Sequence, residues 1–280
     1  MIALRNCCWL LRCCLVTSLA ICWCTGDLAT ANGPLQLRVL SYNIHHGRGA
    51  DDKVDLQRIA CVINEAGPDL VALQEVDSGT KRTDGVNQPQ ELAKLTKMHD
   101  VFGDNIPYEG GRYGNAVLSR LPIVRHKNHP LPSHYQGEQR GVLEVEVQPP
   151  DGRPPLTFYA THFDYRGDDD GERMESAKMV NQLAARRPNA LAILAGDLNA
   201  LSDSKPLQVL AADWTRDPRV TPTFPAADPT RQIDYILARP ADRWRIVASR
   251  VPDEPVASDH RPLLVVLELQ PLEHAAEPDK

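Results

Sequence analysis

Two polar residues that could do chemistry follow a short apolar run in the second half of the sequence. The run ends at Ala195, Gly196 interrupts it, and Asp197 and Asn199 follow two residues apart. On an extended backbone, residues i and i+2 point to the same side, so a carboxylate and an amide are predicted to project together from a strand end. Such strand ends commonly carry the active sites of layered α/β proteins. An ordinary Gly-Asp-Leu-Asn turn is the alternative interpretation.

Polar residues also follow other apolar runs of the chain. Asn43 lies at the end of the predicted strand Leu35–Ile44, and Glu75 at the end of the predicted strand Asp69–Val76. Between them, helical periodicity over Asp55–Ala66 indicates a βαβ unit. The second half repeats the order strand, loop, helix, strand without repeating the residues themselves. The remaining polar residues at or inside predicted strands are His162, Asp234, Asp259 and His260.

The residue types of this set suit hydrolysis at phosphorus. Oxygen ligands such as Glu75 and Asn43 suit a hard divalent ion, Mg²⁺ or Mn²⁺. That ion would polarise a phosphoryl oxygen and stabilise charge on the leaving oxygen. Asp197 could orient or deprotonate a water molecule, and His260, fixed by Asp259, could stabilise developing charge or hold a proton. The sequence shows no activated Ser or Cys nucleophile.

Parts of this set also have less specific interpretations. Asp234 lies inside the apolar segment Ile233–Leu237. A buried carboxylate there needs a polar partner, so a purely structural role is the alternative interpretation of Asp234. Zinc is disfavoured, because His45 and His46 are adjacent on a segment that reads as extended, so that their side chains would point apart. Cysteine, the other common zinc ligand, is nearly absent after residue 24.

Three further features of the sequence carry structural predictions. Cys61 falls within the apolar helical pattern and is predicted to be a buried small hydrophobe. The segment Gly141–Val147 alternates cleanly between apolar and polar residues, which predicts a half-exposed strand. The segment Thr215–Gln232 is predicted to be mostly loop, because it shows no sustained periodicity.

The first 31 residues have the composition of a secretory signal peptide. They combine Arg5 and Arg12 with a short apolar run, Cys13–Cys24, and the small residues Ala29-Thr30-Ala31. The apolar run is short for a membrane span, and a retained anchor is the alternative. We therefore predict a signal peptide over residues 1–31, one catalytic domain over 32–270 and a flexible tail over 271–280.

Charge and composition limit the classes of partner. The chain of 280 residues has a formal net charge of −6, and removal of the signal peptide, which carries two Arg and one Asp, makes the charge −7. This charge disfavours binding of nucleic acid through a basic surface. A bound metal ion could still supply local positive charge for a phosphorylated substrate. Aromatic residues make up 5% of the chain, so surfaces for stacking bases are not prominent.

Taken in order, these motifs resemble those of the endonuclease/exonuclease/phosphatase superfamily. The superfamily includes deoxyribonuclease I, the AP endonucleases, neutral sphingomyelinases and inositol polyphosphate 5-phosphatases. The similar stretches occur in the family's order and extend from Leu37 to about Leu269. They are Ser41-Tyr42-Asn43, Ala72-Leu73-Gln74-Glu75-Val76, Thr161-His162, Gly196-Asp197-Leu198-Asn199, Ile233-Asp234-Tyr235 and Ser258-Asp259-His260.

The resemblance implies a fold and a metal site. The fold would be α/β (α+β), a four-layer αββα sandwich of the deoxyribonuclease I type with the active site at one mouth. Glu75 would be the main ligand of Mg²⁺ or Mn²⁺, with Asn43 close by. Asp259 would bind metal or pair with His260.

The resemblance also implies roles for the other residues of the set. Asp197 would position the attacking water, and Asn199 would contact the phosphate. His162 and His260 would contact phosphate oxygens, and Asp234 would orient His260. Where AP endonucleases typically have Tyr after the Thr, this chain has His162, so it looks more like the sphingomyelinase, phosphatase and small bacterial hydrolase branches.

Arginines near the mouth of the predicted active site could bind a phosphate or a lipid headgroup. For each of them, an ordinary surface or structural role is the alternative. We select Arg140 as a substrate-binding residue. The full set of candidates is Arg82, Arg112, Arg140 and Arg166.

These observations together predict a secreted or periplasmic, monomeric, divalent-metal-dependent phosphoesterase. We expect its substrate to be a phosphodiester or phosphomonoester of a small molecule or lipid headgroup. An extracellular nuclease is the alternative among enzymes. A non-catalytic binding module that keeps the fold is the alternative from another class.

Overall fold

The computed structural model describes residues 34–134, 137–166 and 170–271. The predicted signal peptide and all but the first residue of the predicted tail lie outside these ranges. Within them, no helix is both long enough and apolar enough to cross a membrane.

The first of two six-stranded sheets is built mainly from the first half of the chain. Its strand order is β11-β12-β1-β2-β4-β3, in which β1 and β2 are parallel and the other neighbours are antiparallel. The strands are β1 Gln36–Asn43, β2 Leu70–Ser78, β3 His99–Tyr108, β4 Gly111–Ser119, β11 Trp244–Arg250 and β12 Leu263–Leu269.

The second sheet has the order β5-β6-β7-β8-β10-β9, with β7 and β8 parallel and the other neighbours antiparallel. Its strands are β5 Ile123–Pro130, β6 Gly141–Val147, β7 Leu156–His162, β8 Ala192–Asp197, β9 Thr215–Arg216 and β10 Asp234–Arg239. The helices are α1 Leu56–Ala66, α2 Gln88–Thr96, α3 Gly171–Ala185 and α4 Lys205–Leu210.

Three apolar cores hold these elements in four layers. The central core joins the facing sides of the two sheets and includes Val39 and Phe158. A second core packs α1 and α2 on the outer face of the first sheet, for example through Ile59 and Leu92. A third packs α3 and α4 on the outer face of the second sheet, around residues such as Trp214. The predicted αββα sandwich is therefore confirmed.

Two crossover units fix which strand ends meet. β1, α1 and β2 form one unit, and β7, α3 and β8 form the other, so each half of the chain contributes a pair of parallel strands. The ends of α1 follow from its flanking residues. The Asp55 carboxylate accepts a hydrogen bond from Arg58 N at 2.9 Å, and Gly67 ends the helix at φ 60°. The internal repetition predicted from the sequence is present.

The structure corrects two predictions of burial. Cys61 is exposed on α1, where Sγ lies 3.4 Å from Glu65 Oε1, because the helical rotation places it beside the buried stripe rather than in it. Strand β6 is buried on both faces rather than half exposed. Its Glu144 and Glu146 are covered by Arg187, whose guanidinium lies 2.8 and 2.5 Å from the two carboxylates.

Gly196 also has a different role from the predicted one. It does not end the strand but lies inside β8, opposite Thr161 of the parallel neighbour β7. A Cβ at this position would lie 2.1 Å from the backbone oxygen of Thr161. The glycine therefore permits close approach of the two strands directly before Asp197.

Candidate active site

The polar residues predicted from strand ends converge at one end of the sandwich. Asn43, His162 and Asp197 are the last residues of β1, β7 and β8. Asp234 is the first residue of the antiparallel β10 and stands opposite Asp197 in the sheet. His260 belongs to the segment before β12. The two crossover units thus bring these side chains to a common mouth.

Glu75 reaches this mouth through a bulge in β2. The register between β2 and β4 shifts between Leu73 and Val76, and Glu75 itself has a φ of 57°. A bulge re-aims side chains, and a non-glycine residue in the left-handed region costs about 1–3 kcal/mol. Asn43 Nδ2 donates to Glu75 Oε1 at 3.0 Å, which ties the two predicted metal ligands together.

Asp197 is the centre of the cluster. Its Oδ2 accepts a hydrogen bond from Asn43 Nδ2 at 3.2 Å and lies 3.4 Å from His162 Nε2 and 3.6 Å from His260 Nε2. Its Oδ1 accepts a hydrogen bond from the backbone N–H of Asn199 at 2.9 Å. One buried carboxylate therefore touches residues from both sheets.

Asn199 reaches the site by a turn and not by an extended backbone. Its φ of 47° rules out the extended geometry predicted for the Asp197–Asn199 pair, so the turn interpretation describes the local backbone. The two side chains still share the site. Asn199 Nδ2 donates to Phe163 O at 3.2 Å and lies 3.1 Å from His162 Nε2.

Asp234 is the residue that holds His260. Its Oδ2 lies 2.9 Å from His260 Nδ1 and accepts a hydrogen bond from Thr223 Oγ1 at 2.5 Å. Asp259, predicted from the residue pattern to fix this histidine, lines the cavity over the site but accepts its hydrogen bond from Ser258 Oγ, which lies 3.3 Å from Oδ1. The same Oδ1 is 3.9 Å from Nδ1 of His45. The orienting role that the resemblance implied for Asp234 agrees with this geometry.

Protonation at the site follows from burial and from close charges. Burial alone would lower the pKa of His260, but Asp234 and Asp197 outweigh it and raise the pKa to about 10. Burial raises the pKa of Asp197 to about 7, and the charge of Asp234 adds to this shift. Burial, Arg140 and His260 lower the pKa of His162 well below its usual value. At neutral pH the site holds a charged His260, a neutral His162 and an Asp197 that can exchange a proton.

A cavity of about 530 Å³ opens over this cluster. Arg140 is buried in its wall, 3.0 Å from His162 Nδ1 and 2.6 Å from Glu138 Oε1. Because Arg is an obligate donor, it fixes His162 Nδ1 as an acceptor and leaves the ring proton on Nε2. Residues of the wall that the sequence did not indicate are Tyr108, Tyr113, Glu138, Tyr165, Phe224 and Arg231.

The other arginines predicted to grip a substrate divide into two groups. Arg82 lines the cavity, with its guanidinium carbon 4.5 Å from the ring centre of Tyr108. Arg112 pairs with Asp104 at 3.2 Å, and Arg166 pairs with Asp164 at 3.3 Å. The aromatic residues of the wall lie in loops and in the β3–β4 hairpin, and no periodic pattern in the sequence indicated that they line a cavity.

Among the residues that the structure describes, two groups of side chains could hold a metal ion. The potential ligand atoms within each group lie within 4.8 Å of one another. One group is Asp197, Asp234 and His260. The other is His45, His46 and Glu75.

The second group corrects the prediction that His45 and His46 point apart. The two residues form a tight turn in which each has a φ of 45°, and their ring centres are 4.6 Å apart. Burial, together with the charges of Arg82 and His45, lowers the pKa of His46 to about 4, so its imidazole is neutral. Glu75 with Asn43 offers oxygen donors, and the two imidazoles offer nitrogen donors. This donor set fits a divalent metal ion.

Comparisons with known proteins identify the family to which this chain belongs. Residues 40–260 match the model of the Endonuclease/Exonuclease/phosphatase family. The uncharacterized protein YbhP of Escherichia coli (strain K12) is 28% identical over an alignment of 247 residues, and the alignment covers 83% of this chain and 96% of that protein.

Solved structures show the same fold. The crystal structure of an endonuclease/exonuclease/phosphatase from Beutenbergia cavernae is 29% identical with a TM-score of 0.70, covering 84% of this chain and 72% of that one. A mannosyl-6-phosphatase of Bacteroides thetaiotaomicron is 20% identical to this chain with a TM-score of 0.66. The match covers 82% of this chain and 99% of that one. The matched family residues include every member of the cluster from Asn43 to His260, and the chain belongs to the endonuclease/exonuclease/phosphatase family.

Proposed function

We propose that this protein hydrolyses a phosphate ester with the aid of a divalent metal ion, Mg²⁺ or Mn²⁺. The observation that carries the proposal is the position of Asp197, whose Oδ2 lies near Asn43, His162 and His260. A carboxylate with a pKa of about 7 can accept a proton from water at neutral pH. Members of this family are generally hydrolases that act on phosphoester bonds.

The proposed reaction assigns a role to each side chain of the cluster. Asp197 orients a water molecule and takes its proton as the water oxygen bonds to phosphorus and the ester P–O bond breaks. His260 is cationic and donates from Nε2 to a phosphoryl oxygen, where negative charge increases in the transition state. His162 and Asn199 donate to the other phosphoryl oxygens. Asp234 holds His260 in position.

The metal would be held at the Glu75 side of the cluster. Glu75 and Asn43 are the proposed oxygen ligands, and Asp259 lines the same cavity as Glu75. When bound there, a divalent ion would polarise the phosphoryl group and stabilise charge on the leaving oxygen. Arg140, fixed beside His162, supplies a further positive charge for the substrate.

We propose a small phosphorylated molecule or a lipid headgroup as the substrate. A cavity of about 530 Å³ is of the size that encloses a small ligand. Its wall combines Arg82, Arg140 and Arg231 with aromatic rings, which suits a phosphate attached to a compact polar group. An extracellular nuclease is the second candidate, and the net charge of −6 disfavours it. Export and a monomeric state are part of the proposal, and the N-terminal mass of the purified mature protein tests export.

The deciding experiment is an ester-hydrolysis assay with a matched pair of variants. Wild type, Asp197→Asn and the surface control Asp242→Asn would be assayed on p-nitrophenyl phosphate, bis(p-nitrophenyl) phosphate, phosphorylated sugars, phospholipid headgroups and a plasmid, with Mg²⁺, Mn²⁺ or EDTA. We expect metal-dependent turnover that falls about 10³-fold in Asp197→Asn and is unchanged in the control. Turnover of the plasmid alone would favour the nuclease. No turnover of any ester, with the fold intact, would favour a binding module.

A further inference from the structure

The turn after β1 places two imidazoles beside the proposed metal ligand Glu75. His45 and His46 leave the extended path immediately after Asn43, and each has a φ of 45°. One nitrogen from each ring and one oxygen from Glu75 lie within 4.8 Å of one another. The family's metal site, as the resemblance implies it for this chain, needs only Glu75 and its oxygen neighbours. The two histidines therefore require a separate explanation.

His46 lacks the hydrogen bonding expected of a structural histidine. Only 7% of the residue is exposed. Within the described part of the chain, its Nδ1 is buried and has no hydrogen-bond partner. Buried polar nitrogens are nearly always satisfied, and the exceptions are typically sites for an ion, a water molecule or chemistry. An imidazole nitrogen without a hydrogen-bond partner is free to donate its lone pair to a metal ion.

The backbone of the turn is held in place independently of any ligand. Gln88 Nε2 donates to His46 O at 2.7 Å, and Gln88 Oε1 accepts a hydrogen bond from Asp77 N on β2 at 2.9 Å. The N–H of Gly47 donates to Ile44 O at 2.7 Å and closes the turn. The same glutamine thus links the histidine turn to the strand that carries Glu75. Such support preorganises a set of ligands.

The charges around the turn are compatible with a bound cation. Arg82 contributes positive charge there, but its guanidinium is paired with the buried carboxylate of Asp77 at 2.7 Å. Asp259 Oδ1 lies 3.9 Å from His45 Nδ1, and both residues line a second cavity. The negative charge of this carboxylate favours a cation beside the imidazole.

We propose that His45, His46 and Glu75 form a mixed nitrogen and oxygen site that binds a first-row transition metal more tightly than Mg²⁺. Mg²⁺ prefers oxygen ligands, whereas imidazole suits ions such as Co²⁺ and Zn²⁺. The inference deepens the proposed function, since Glu75 is shared, and it identifies the class of metal that this chain selects. The prediction from sequence that disfavoured zinc rested on imidazoles that point apart, and the geometry removes that objection.

The test compares Co²⁺ and Mg²⁺ binding to the metal-free full chain. The thiols would be alkylated first, so that the N-terminal cysteines do not bind Co²⁺, and no histidine tag would be present. Co²⁺ would be titrated by its visible absorption and Mg²⁺ by calorimetry, for wild type, His45→Gln and His46→Gln. His99→Gln is the matched control, because His99 is exposed at the start of β3.

We expect wild type to bind Co²⁺ at least about tenfold more tightly than Mg²⁺. Each variant at the turn should lose at least about tenfold in Co²⁺ affinity and keep its Mg²⁺ affinity within about twofold, whereas His99→Gln should match wild type in both. The proton NMR spectrum of the Co²⁺-loaded wild type should contain strongly shifted imidazole N–H resonances, and each variant should lose one of them.

Two results would overturn the inference. One is a wild type that binds Mg²⁺ as tightly as Co²⁺. The other is a His45→Gln variant that binds Co²⁺ as tightly as wild type. Because the His45 side chain is only half buried, this variant tests the site even if His46→Gln does not fold. Ester hydrolysis is scored separately. Turnover with Mg²⁺ but no histidine-dependent Co²⁺ site would support the proposed function and contradict the metal inference. A histidine-dependent Co²⁺ site without turnover of any ester would support the metal inference and contradict the proposed function.

Discussion

Asp234 Oδ2 lies 2.9 Å from His260 Nδ1, and both side chains are buried. This pairing overcomes burial and raises the pKa of His260 to about 10, so the imidazolium persists across the physiological range. We predict that Asp234→Asn lowers kcat/KM for a phosphate ester about 10²-fold at pH 7. The loss of the negative charge lowers the pKa of His260, so the alkaline decline in kcat/KM should move to lower pH.

The pH profile separates this electrostatic role from a merely structural one. Asp242→Asn is the control, because Asp242 is exposed near the start of β11. It should leave both the rate and the alkaline limb unchanged. An Asp234→Asn variant that loses activity with an unmoved alkaline limb would contradict the assignment of Asp234 as the partner that keeps His260 charged.

The raised pKa of Asp197 predicts that this carboxylate destabilises the folded protein at alkaline pH. Its pKa rises from 3.8 to about 7 on folding, so the native state holds the proton more tightly than the unfolded chain. Stability from this group is complete below pH 4 and is lost as the pH rises through 7. Asp197→Asn mimics the protonated form. Its melting temperature should exceed that of wild type by at least about 2 °C at pH 8 and should equal it near pH 4.

Thermal unfolding with EDTA present checks this prediction without any substrate. Asp242→Asn again serves as the control, and its melting temperature should match that of wild type at both pH values. A melting temperature of Asp197→Asn that is equal to or below that of wild type at pH 8 would show that the buried carboxylate is stabilised by its neighbours rather than strained.

Most of the polar cluster was predictable because these residues lie at the end of an apolar run or just beyond it. Asn43 and His162 end strands in the sequence pattern and in the structure alike, and Asp197, predicted to follow its strand, is the last residue of β8. Parallel strands joined by crossovers must have their carboxyl ends on one side, so convergence follows from the topology. The pairing of Asp234 with His260 had a weaker signal. The only indication was that the Asp234 carboxylate lies inside an apolar segment, where it needs a buried partner.

Other features depend on backbone conformations and contacts that residue types do not indicate. His45 and His46 adopt positive φ values with no glycine at either position, so nothing in the pattern predicted that their rings converge. Strand β11 lies at an edge and exposes most of its residues, so it lacks the alternation by which strands are recognised. Strand β6 alternates as expected, but Arg187 covers its polar face from outside the strand.

The left-handed backbone at Glu75 allows its ligand role to be separated from its effect on stability. Glu75→Ala and Glu75→Gly should both abolish Mg²⁺ binding measured by calorimetry. At a φ of 57°, however, glycine is tolerated and alanine is strained. We therefore expect the glycine variant to be about 1 kcal/mol more stable than the alanine variant in urea denaturation. Equal stability of the two variants, or a more stable alanine variant, would show that the bulge relaxes when the carboxylate is removed.

Gly196 is predicted to be irreplaceable because of the strand beside it. An added Cβ would lie 2.1 Å from the backbone oxygen of Thr161, so Gly196→Ala must push β7 and β8 apart directly before Asp197. We expect a loss of about 1–3 kcal/mol in the free energy of unfolding, together with reduced ester hydrolysis. The double variant with Thr161→Ser gives a sharp check. It removes the methyl group 3.1 Å from the added Cβ but leaves the backbone oxygen, so stability should not recover. If the double variant regains the free energy of unfolding of wild type, the added Cβ clashes with the Thr161 methyl group. The close approach of the two backbones would then not explain why glycine is needed.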